Sequence, residues 1–322
     1  MAETSGIAWT HATFNPWSGC SKVSPACKHC YAERDTKRYG LALWGEKAER
    51  QFRAEAYWRQ PEKWNREAEK AGERRRVFCA SLADVFEIHR NPETNAKMNT
   101  ARSRLWKLIE STPWLDWLLL TKRPQNILAL VPLSWSIAGE CRPGGDGFGC
   151  APRNVWLGVT AESQEYAEKR VPFLLAAKQA LGVRVAFVSH EPAVGPVDFT
   201  RLGLGGHVPF DALRGGTAIT PGGPRLDWII TGGESGPGAR SYDVAWARSV
   251  IAQCRASTAD GYPVAAFVKQ LGAVAHETHE PSGAPDDGGD LVPLDDLGRA
   301  GSDFELLQRV GLGVREFPAV AR

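Results

Sequence analysis

The sequence predicts an α/β chain built as a (β/α) barrel of the TIM-like kind, complete or partial. Two observations carry this. Seven short apolar runs alternate with helix-like stretches, and every run ends in polar residues. A third observation sets the scale: 322 residues, 43% hydrophobic and 24% charged, suffice for one large core or two ordinary ones.

The runs follow in chain order. Residues 7–15 (IAWTHATFN) come first, then 76–84 (RVFCASLAD) and 117–122 (WLLLTK). Next are 155–162 (VWLGVTAE), 183–191 (VRVAFVSHE), 226–234 (LDWIITGGE) and 263–270 (PVAAFVKQ). Each is rich in β-branched or aromatic residues and nearly continuous in its apolar part, as a strand buried on both faces reads. Between them, residues 99–111 carry Leu105, Leu108 and Ile109 at helical spacing. Residues 163–181 place Val171, Leu174 and Leu175 on one face, and 243–256 do the same with Trp246, Val250 and Ile251, with Asp243 as a candidate cap.

Strands alternating with helices predict a parallel sheet with helical crossovers. In a barrel the C-terminal strand ends share one mouth, where chemistry is built. An open doubly wound sheet is the alternative, because a sequence does not show closure. Residues 1–275 are assigned to the barrel. Gly-rich insertions fall at about 134–153 and 201–224, and the irregular tail 276–322 is expected to pack on the barrel or be partly disordered. Trp106, Trp156 and Trp228 stand at core positions, so packing explains them.

The net charge of +2 names no partner in bulk. No apolar run is long enough to span a membrane and no N-terminal apolar leader is visible, so a cytoplasmic location is expected. Seven cysteines without a secretion signal argue for reduced thiols rather than a disulfide framework.

Three of those cysteines carry the chemistry. Cys20, Cys27 and Cys30 form a C-x6-C-x2-C run between the first strand and the first helix. Thiolates are soft ligands for zinc, copper(I) and iron–sulfur clusters. Gly19 and Pro25 suit a sharply turned loop. A structural zinc site wants four ligands, and His29 or Cys79 is the candidate fourth. An iron–sulfur cluster on three thiolates leaves one iron open. Cys141 and Cys150 offer a second, weakly specified metal pair.

A three-cysteine loop after strand one, feeding a β/α barrel, resembles radical S-adenosylmethionine enzymes, although their usual first gap is three residues shorter. The N-P-W-S-G-C and C-x-x-C-Y-A pieces are similar to loops of members related to spore photoproduct lyase. Nearly the whole chain resembles an uncharacterised phage- and prophage-associated family with this three-cysteine motif. The landmarks are WTHATFNPW (9–17), SLADVF (81–86), LTKRP (120–124), LGVTAE (157–162), EP (191–192), GGESGP (232–237) and VKQLG (268–272).

The resemblance implies that Cys20, Cys27 and Cys30 ligate a 4Fe–4S cluster whose fourth iron takes S-adenosylmethionine. One-electron reduction by a donor then yields a 5′-deoxyadenosyl radical that abstracts hydrogen from a substrate, with a nucleic acid or nucleotide as the best guess. In the superfamily a G-G-E-like stretch after strand two contacts the methionyl amine. Here Ser81 and Asp84 stand in that place, and the literal Gly232-Gly233-Glu234 falls at the sixth strand. Thr121, Lys122, Thr160, Glu162, Ser189, Glu191 and Glu234 complete the candidate cofactor-binding set, and Lys269 and Gln270 the substrate-binding set. No catalytic residue is assigned. The alternative is a non-catalytic, zinc- or cluster-stabilised phage-associated binding protein.

Plainer readings stand beside several of these. Lys122-Arg123 can bind a carboxylate or phosphate, or form a rim salt bridge. Glu191 and Glu234 can pair with Lys122 or Lys269. His11 reads as a satisfied core histidine. Arg74, Arg75 and Arg76 read as a basic, solvated helix end more readily than as a nucleic-acid contact.

Overall fold

In the computed structural model the described residues are 5–135, 150–205, 208–277, 292–293, 307–308 and 311–319. All seven predicted runs form parallel strands: β1 (Ala12–Thr13), β2 (Arg75–Cys79), β3 (Leu115–Thr121), β4 (Val155–Thr160), β5 (Val185–His190), β6 (Trp228–Gly232) and β7 (Ala265–Gln270). They are hydrogen-bonded in chain order, β1 to β7, in one sheet. An order that never reverses has no switch point, so the doubly wound alternative fails. Among the described residues the order ends at β1 on one side and β7 on the other, consistent with a partial barrel. The chain divides into two compact units, residues 1–159 with 172–186 and residues 160–171 with 187–322.

In the first unit, β2 pairs with β1 (Ala12 opposite Val77) and with β3 (Cys79 opposite Leu119), and β3 pairs with β4 (Trp117 opposite Val155). The strand residues from Leu115 to Leu119 are all buried, the signature of coverage on both faces. Phe14, fully buried, stacks on Tyr57 and meets Trp58 and Trp117 edge-on. Burying such a ring contributes about 2–3 kcal/mol.

Helix α1 spans Tyr31–Arg38, α2 Gln60–Ala71 and α3 Pro92–Glu110. α3 begins seven residues before the predicted start. The Asn91 side chain accepts from the amides of Glu93 and Thr94, and Pro92 opens the first turn. α2 ends at Gly72 in the left-handed conformation (φ 67°). The basic run therefore opens β2 instead of closing a helix. Arg74 pairs with Asp116 at 2.6 Å and Arg75 with Glu67 at 2.7 Å, while Arg76 Nε donates to the Trp9 carbonyl. His11 is exposed, not core; its Nδ1 accepts from the Arg76 amide at 2.8 Å.

In the second unit, β5 pairs with β6 (Phe187 opposite Trp228) and β6 with β7 (Ala266 opposite Ile229). Helices α4 (Gln164–Leu181) and α5 (Val244–Ala259) match the predicted positions, and Asp243 caps α5 through the Ala245 amide. Residues 314–316 of the tail run beside β7. The Val268 amide donates to Val314 and the Glu316 amide to Ala266, so this segment pairs with β7. The second insertion is a turn-rich segment bridged at Leu202 and Phe210, and the first lies mostly outside the described residues. No helix among the described residues is long and apolar enough to cross a membrane.

Candidate metal centre and ligand-binding residues

The three-cysteine loop leaves the first strand through the buried segment Asn15 to Gly19 and enters α1 directly after Cys30. Gly19 is dictated by geometry. Its φ is 109°, and a Cβ there would lie 2.4 Å from the Leu43 carbonyl oxygen. Pro25 opens a single 3₁₀ turn (Pro25–Cys27) between the first two thiols. Asn15 ties the loop's entrance to the end of β2: its Oδ1 accepts from the Leu82 amide at 2.6 Å and its Nδ2 donates to Ser81 Oγ at 3.1 Å. Ser81 offers its carbonyl to the Tyr31 hydroxyl at 2.9 Å.

Cys20, Cys27 and Cys30 are free thiols, each partly exposed. Arg123 Nη1 donates toward Cys20 Sγ at 3.5 Å. The same guanidinium binds the Ser21 carbonyl and hydroxyl, both at 2.8 Å, and the Asp84 carboxylate at 2.9 Å. Burial pushes the Cys20 thiol up to about 12, with Arg123 acting the other way. Burial also raises Cys30, against the Glu33 amide, the charge of Lys122 and the Ala32 amide. Cys27 Sγ lies 3.9 Å from the Ser24 hydroxyl.

Below the loop is a buried network of alternating charge. Asp84 takes four donors: the Phe86 amide (3.0 Å), Thr121 Oγ1 (2.8 Å), the Lys122 amide (3.2 Å) and Arg123. Glu87 accepts from the Ser21 amide and hydroxyl and from Arg50 Nε and Nη2. Arg50 in turn binds the Leu43, Gly45 and Ala48 carbonyls. A carboxylate has about four acceptor positions. Asp84 is therefore saturated, and its duty here is to hold Arg123 against the cysteine loop. Thr121 is spent in the same network, since it also accepts the Arg123 amide. Among the described residues Lys122 Nζ makes no ion pair.

The second unit arranges its candidates as charge pairs. Glu191 pairs with Lys269, and Gln270 Nε2 bridges Glu191 (3.3 Å) to the Gly233 carbonyl (3.1 Å). This group is the one among the second unit's candidates that combines several side chains. The Ser189 hydroxyl reaches the Glu191 carbonyl at 3.5 Å. Glu162, fully buried, pairs with Arg170 at 2.7 Å, and Arg170 also binds the Thr160 carbonyl. Glu234 is gripped by Arg240 through Nε and Nη2. Gly233 allows the close approach of the chain at Leu271, whose carbonyl oxygen lies 2.2 Å from where a Cβ would be.

A family model described as "Protein of unknown function (DUF5131)" matches residues 4–296. The chain belongs to this DUF5131 family. No curated protein and no solved structure matches it.

In this DUF5131 chain the fit to a metal group rests on donor chemistry. Among the described residues no three His, Cys, Asp or Glu side chains are drawn together as a metal-holding group. The three loop thiols are nonetheless soft donors, and Arg123 at Cys20 and Lys122 with the first amides of α1 at Cys30 oppose the burial that raises both thiols. Cys79, the sequence candidate for a fourth ligand, is fully buried in β2, and burial alone raises its thiol. Cys141 lies outside the described residues. Cys150 is disulfide-bonded, an exception to the expected reduced thiols, and so is not a free metal ligand.

Sequence reasoning missed Ser21, Arg50 and Glu87, and it left Arg123 between a ligand contact and a rim salt bridge, whereas the guanidinium forms a buried ion pair with Asp84. The signal for Glu87 was its place directly after the SLADVF landmark. Nothing local announces Arg50, which reaches Glu87 across 37 residues.

Proposed function

We propose that the chain is an iron–sulfur protein of the radical S-adenosylmethionine type, in which Cys20, Cys27 and Cys30 hold a 4Fe–4S cluster. In this reading the sheet is a TIM-like partial barrel, the protein is a cytoplasmic phage-associated enzyme, and its substrate is a nucleotide or nucleic acid. One observation supports it most: three free thiols on one turned loop, with Arg123 on Cys20 and Lys122 acting on Cys30, while Cys79 stays in the apolar core. When bound, the cluster would pass one electron from a donor to S-adenosylmethionine, and the resulting 5′-deoxyadenosyl radical would abstract hydrogen from the substrate.

The chain's own residues do the rest. Asp84 and Thr121 fix Arg123, and Arg123 fixes Ser21 and Cys20, so the first thiol is held by a preorganised cation. Lys122 offers an uncommitted ammonium for a carboxylate. Ser81, already oriented by Asn15, is the hydroxyl at the end of β2. Glu191, Lys269 and Gln270 are the proposed ligand-binding group of the second unit. Glu162 and Glu234 can serve there only by exchanging Arg170 or Arg240 for a ligand.

The test is anaerobic reconstitution with iron and sulfide, followed by dithionite and S-adenosylmethionine. The expected result is 5′-deoxyadenosine by chromatography, lost in C20A, C27A and C30A. A cluster that forms but never yields 5′-deoxyadenosine would reduce the proposal to a structural or electron-transfer cluster. One tightly held zinc with no bound iron would favour the binding-protein alternative.

A further inference from the structure

The net charge of +2 conceals a segregation. Residues of the first unit carry 26 Lys and Arg against 17 Asp and Glu, a net +9, and those of the second carry 13 against 20, a net −7. The cysteine loop belongs to the cationic unit. A field of that sign concentrates polyanions and speeds their encounter.

Many of the first unit's cations are committed. Arg50, Arg102 and Arg123 are buried in the network under the loop, and Arg74, Arg75 and Arg104 are paired with Asp116, Glu67 and Glu55. The loop and α1 differ. Between Cys20 and Gly40 stand Lys22, Lys28, Arg34, Lys37 and Arg38 against Glu33 and Asp35. Lys22 and Lys37 share the one Glu33 carboxylate, at 2.8 and 2.7 Å, so their second charge is uncompensated. Lys28 and Arg38 are exposed and make no ion pair among the described residues, as is true of half-buried Lys122. The helix buries Ala32 and Thr36, which turns its charged side outward. Two aromatic rings stand among these cations: Tyr39 is 82% exposed directly after Arg38, and Tyr31 is 42% exposed beside Cys30.

We infer that the cysteine loop and α1 form a binding surface for single-stranded nucleic acid. Cations that follow a phosphate backbone, interleaved with exposed rings on which bases stack, are what such strands require. Duplex binding would leave the rings without a role, because paired bases do not offer their faces. The inference deepens the proposed function by naming its substrate class, yet the surface itself rests on charge and exposure, not on a bound cluster.

The experiment measures fluorescence anisotropy of labelled 20-nucleotide DNA and RNA strands with the full-length, metal-free protein across a salt series. Wild type is expected to bind at about 50 mM salt, with log affinity falling by about 0.7 per phosphate contact for each decade of salt. K28E/R38E should weaken binding at least about tenfold and flatten the salt slope by roughly one unit. Y39A should weaken single strands about fivefold or more and leave residual duplex binding unchanged. No binding at low salt, or unchanged binding in K28E/R38E with retained fold by circular dichroism, overturns the inference. So does binding to phosphatidylserine vesicles without binding to either strand. Low-salt self-association by sedimentation that the same substitutions abolish, without strand binding, overturns it as well. The C20A/C27A/C30A protein separates the two readings. Strand binding retained there upholds the surface whatever the thiols hold, and a wild-type protein that loads its cluster yet binds neither strand refutes only the surface.

Discussion

Replacing Asp84 by Asn asks whether this carboxylate is a structural clamp or a cofactor contact. Asp84 and Arg123 are 2.9 Å apart with side chains 7% and 8% exposed, so water cannot take either role over. Removing one charge of such a pair strands the other and costs about 3–5 kcal/mol. Arg123 keeps Ser21 and a longer contact to Glu87 at 3.6 Å, which places the expected loss near the lower end, about 3 kcal/mol. The Asn amide would also turn donors toward the Lys122 amide and the guanidinium, so no flip of the side chain restores all four bonds. Urea unfolding of the metal-free protein reads the loss as a lower midpoint at unchanged slope. A D84N/R123Q double variant should be less destabilised than the sum of the singles by about 2 kcal/mol. If D84N costs under about 1 kcal/mol without metal and acts only on cofactor affinity, the clamp reasoning is wrong and Asp84 is a ligand contact.

Three further outcomes are expected. G19A should cost about 2–3 kcal/mol in the same assay, because a left-handed φ and a 2.4 Å clash with the Leu43 carbonyl coincide; a loss below about 0.5 kcal/mol would mean the loop adapts. Burial holds His190 neutral and lowers its pKa to about 4, with Nε2 donating to the Gly195 carbonyl and Nδ1 accepting from Thr231. The unfolded chain takes that proton at the ordinary 6.5, so the contribution is full above that pH and is lost as pH falls toward 4. Stability should drop by about 2 kcal/mol between pH 7 and 5 beyond the drop in H190N, and equal slopes in the two proteins would contradict a neutral buried imidazole. C79A should load iron as wild type does, since Cys79 is enclosed in β2; a drop in iron content would reinstate it as a fourth ligand.

The sheet was legible because strands covered on both faces leave continuous apolar runs, and all seven were found. Helix starts were legible only where a cap stood beside the periodic residues. Asp243 marked α5, whereas Asn91-Pro92, seven residues ahead of the periodic pattern, was passed over for α3. The arginine run was misread because charge was weighed without Gly72, the residue that ends α2. The cysteine loop and its place between strand and helix were visible from spacing alone. The charge network was not, since composition shows which charges exist and only packing decides which pair. The partners of Asp84 were not legible, because its donors come from Phe86 and from the end of β3, 37 to 39 residues away.

The central claim is that three loop thiols hold a cluster with an open iron, and metal and sulfide analysis of anaerobically prepared protein tests it most directly. The account predicts about four irons and four acid-labile sulfides per chain, both lost when any one of Cys20, Cys27 or Cys30 is replaced. About one zinc per chain without sulfide, surviving anaerobic reconstitution with excess iron, would contradict it.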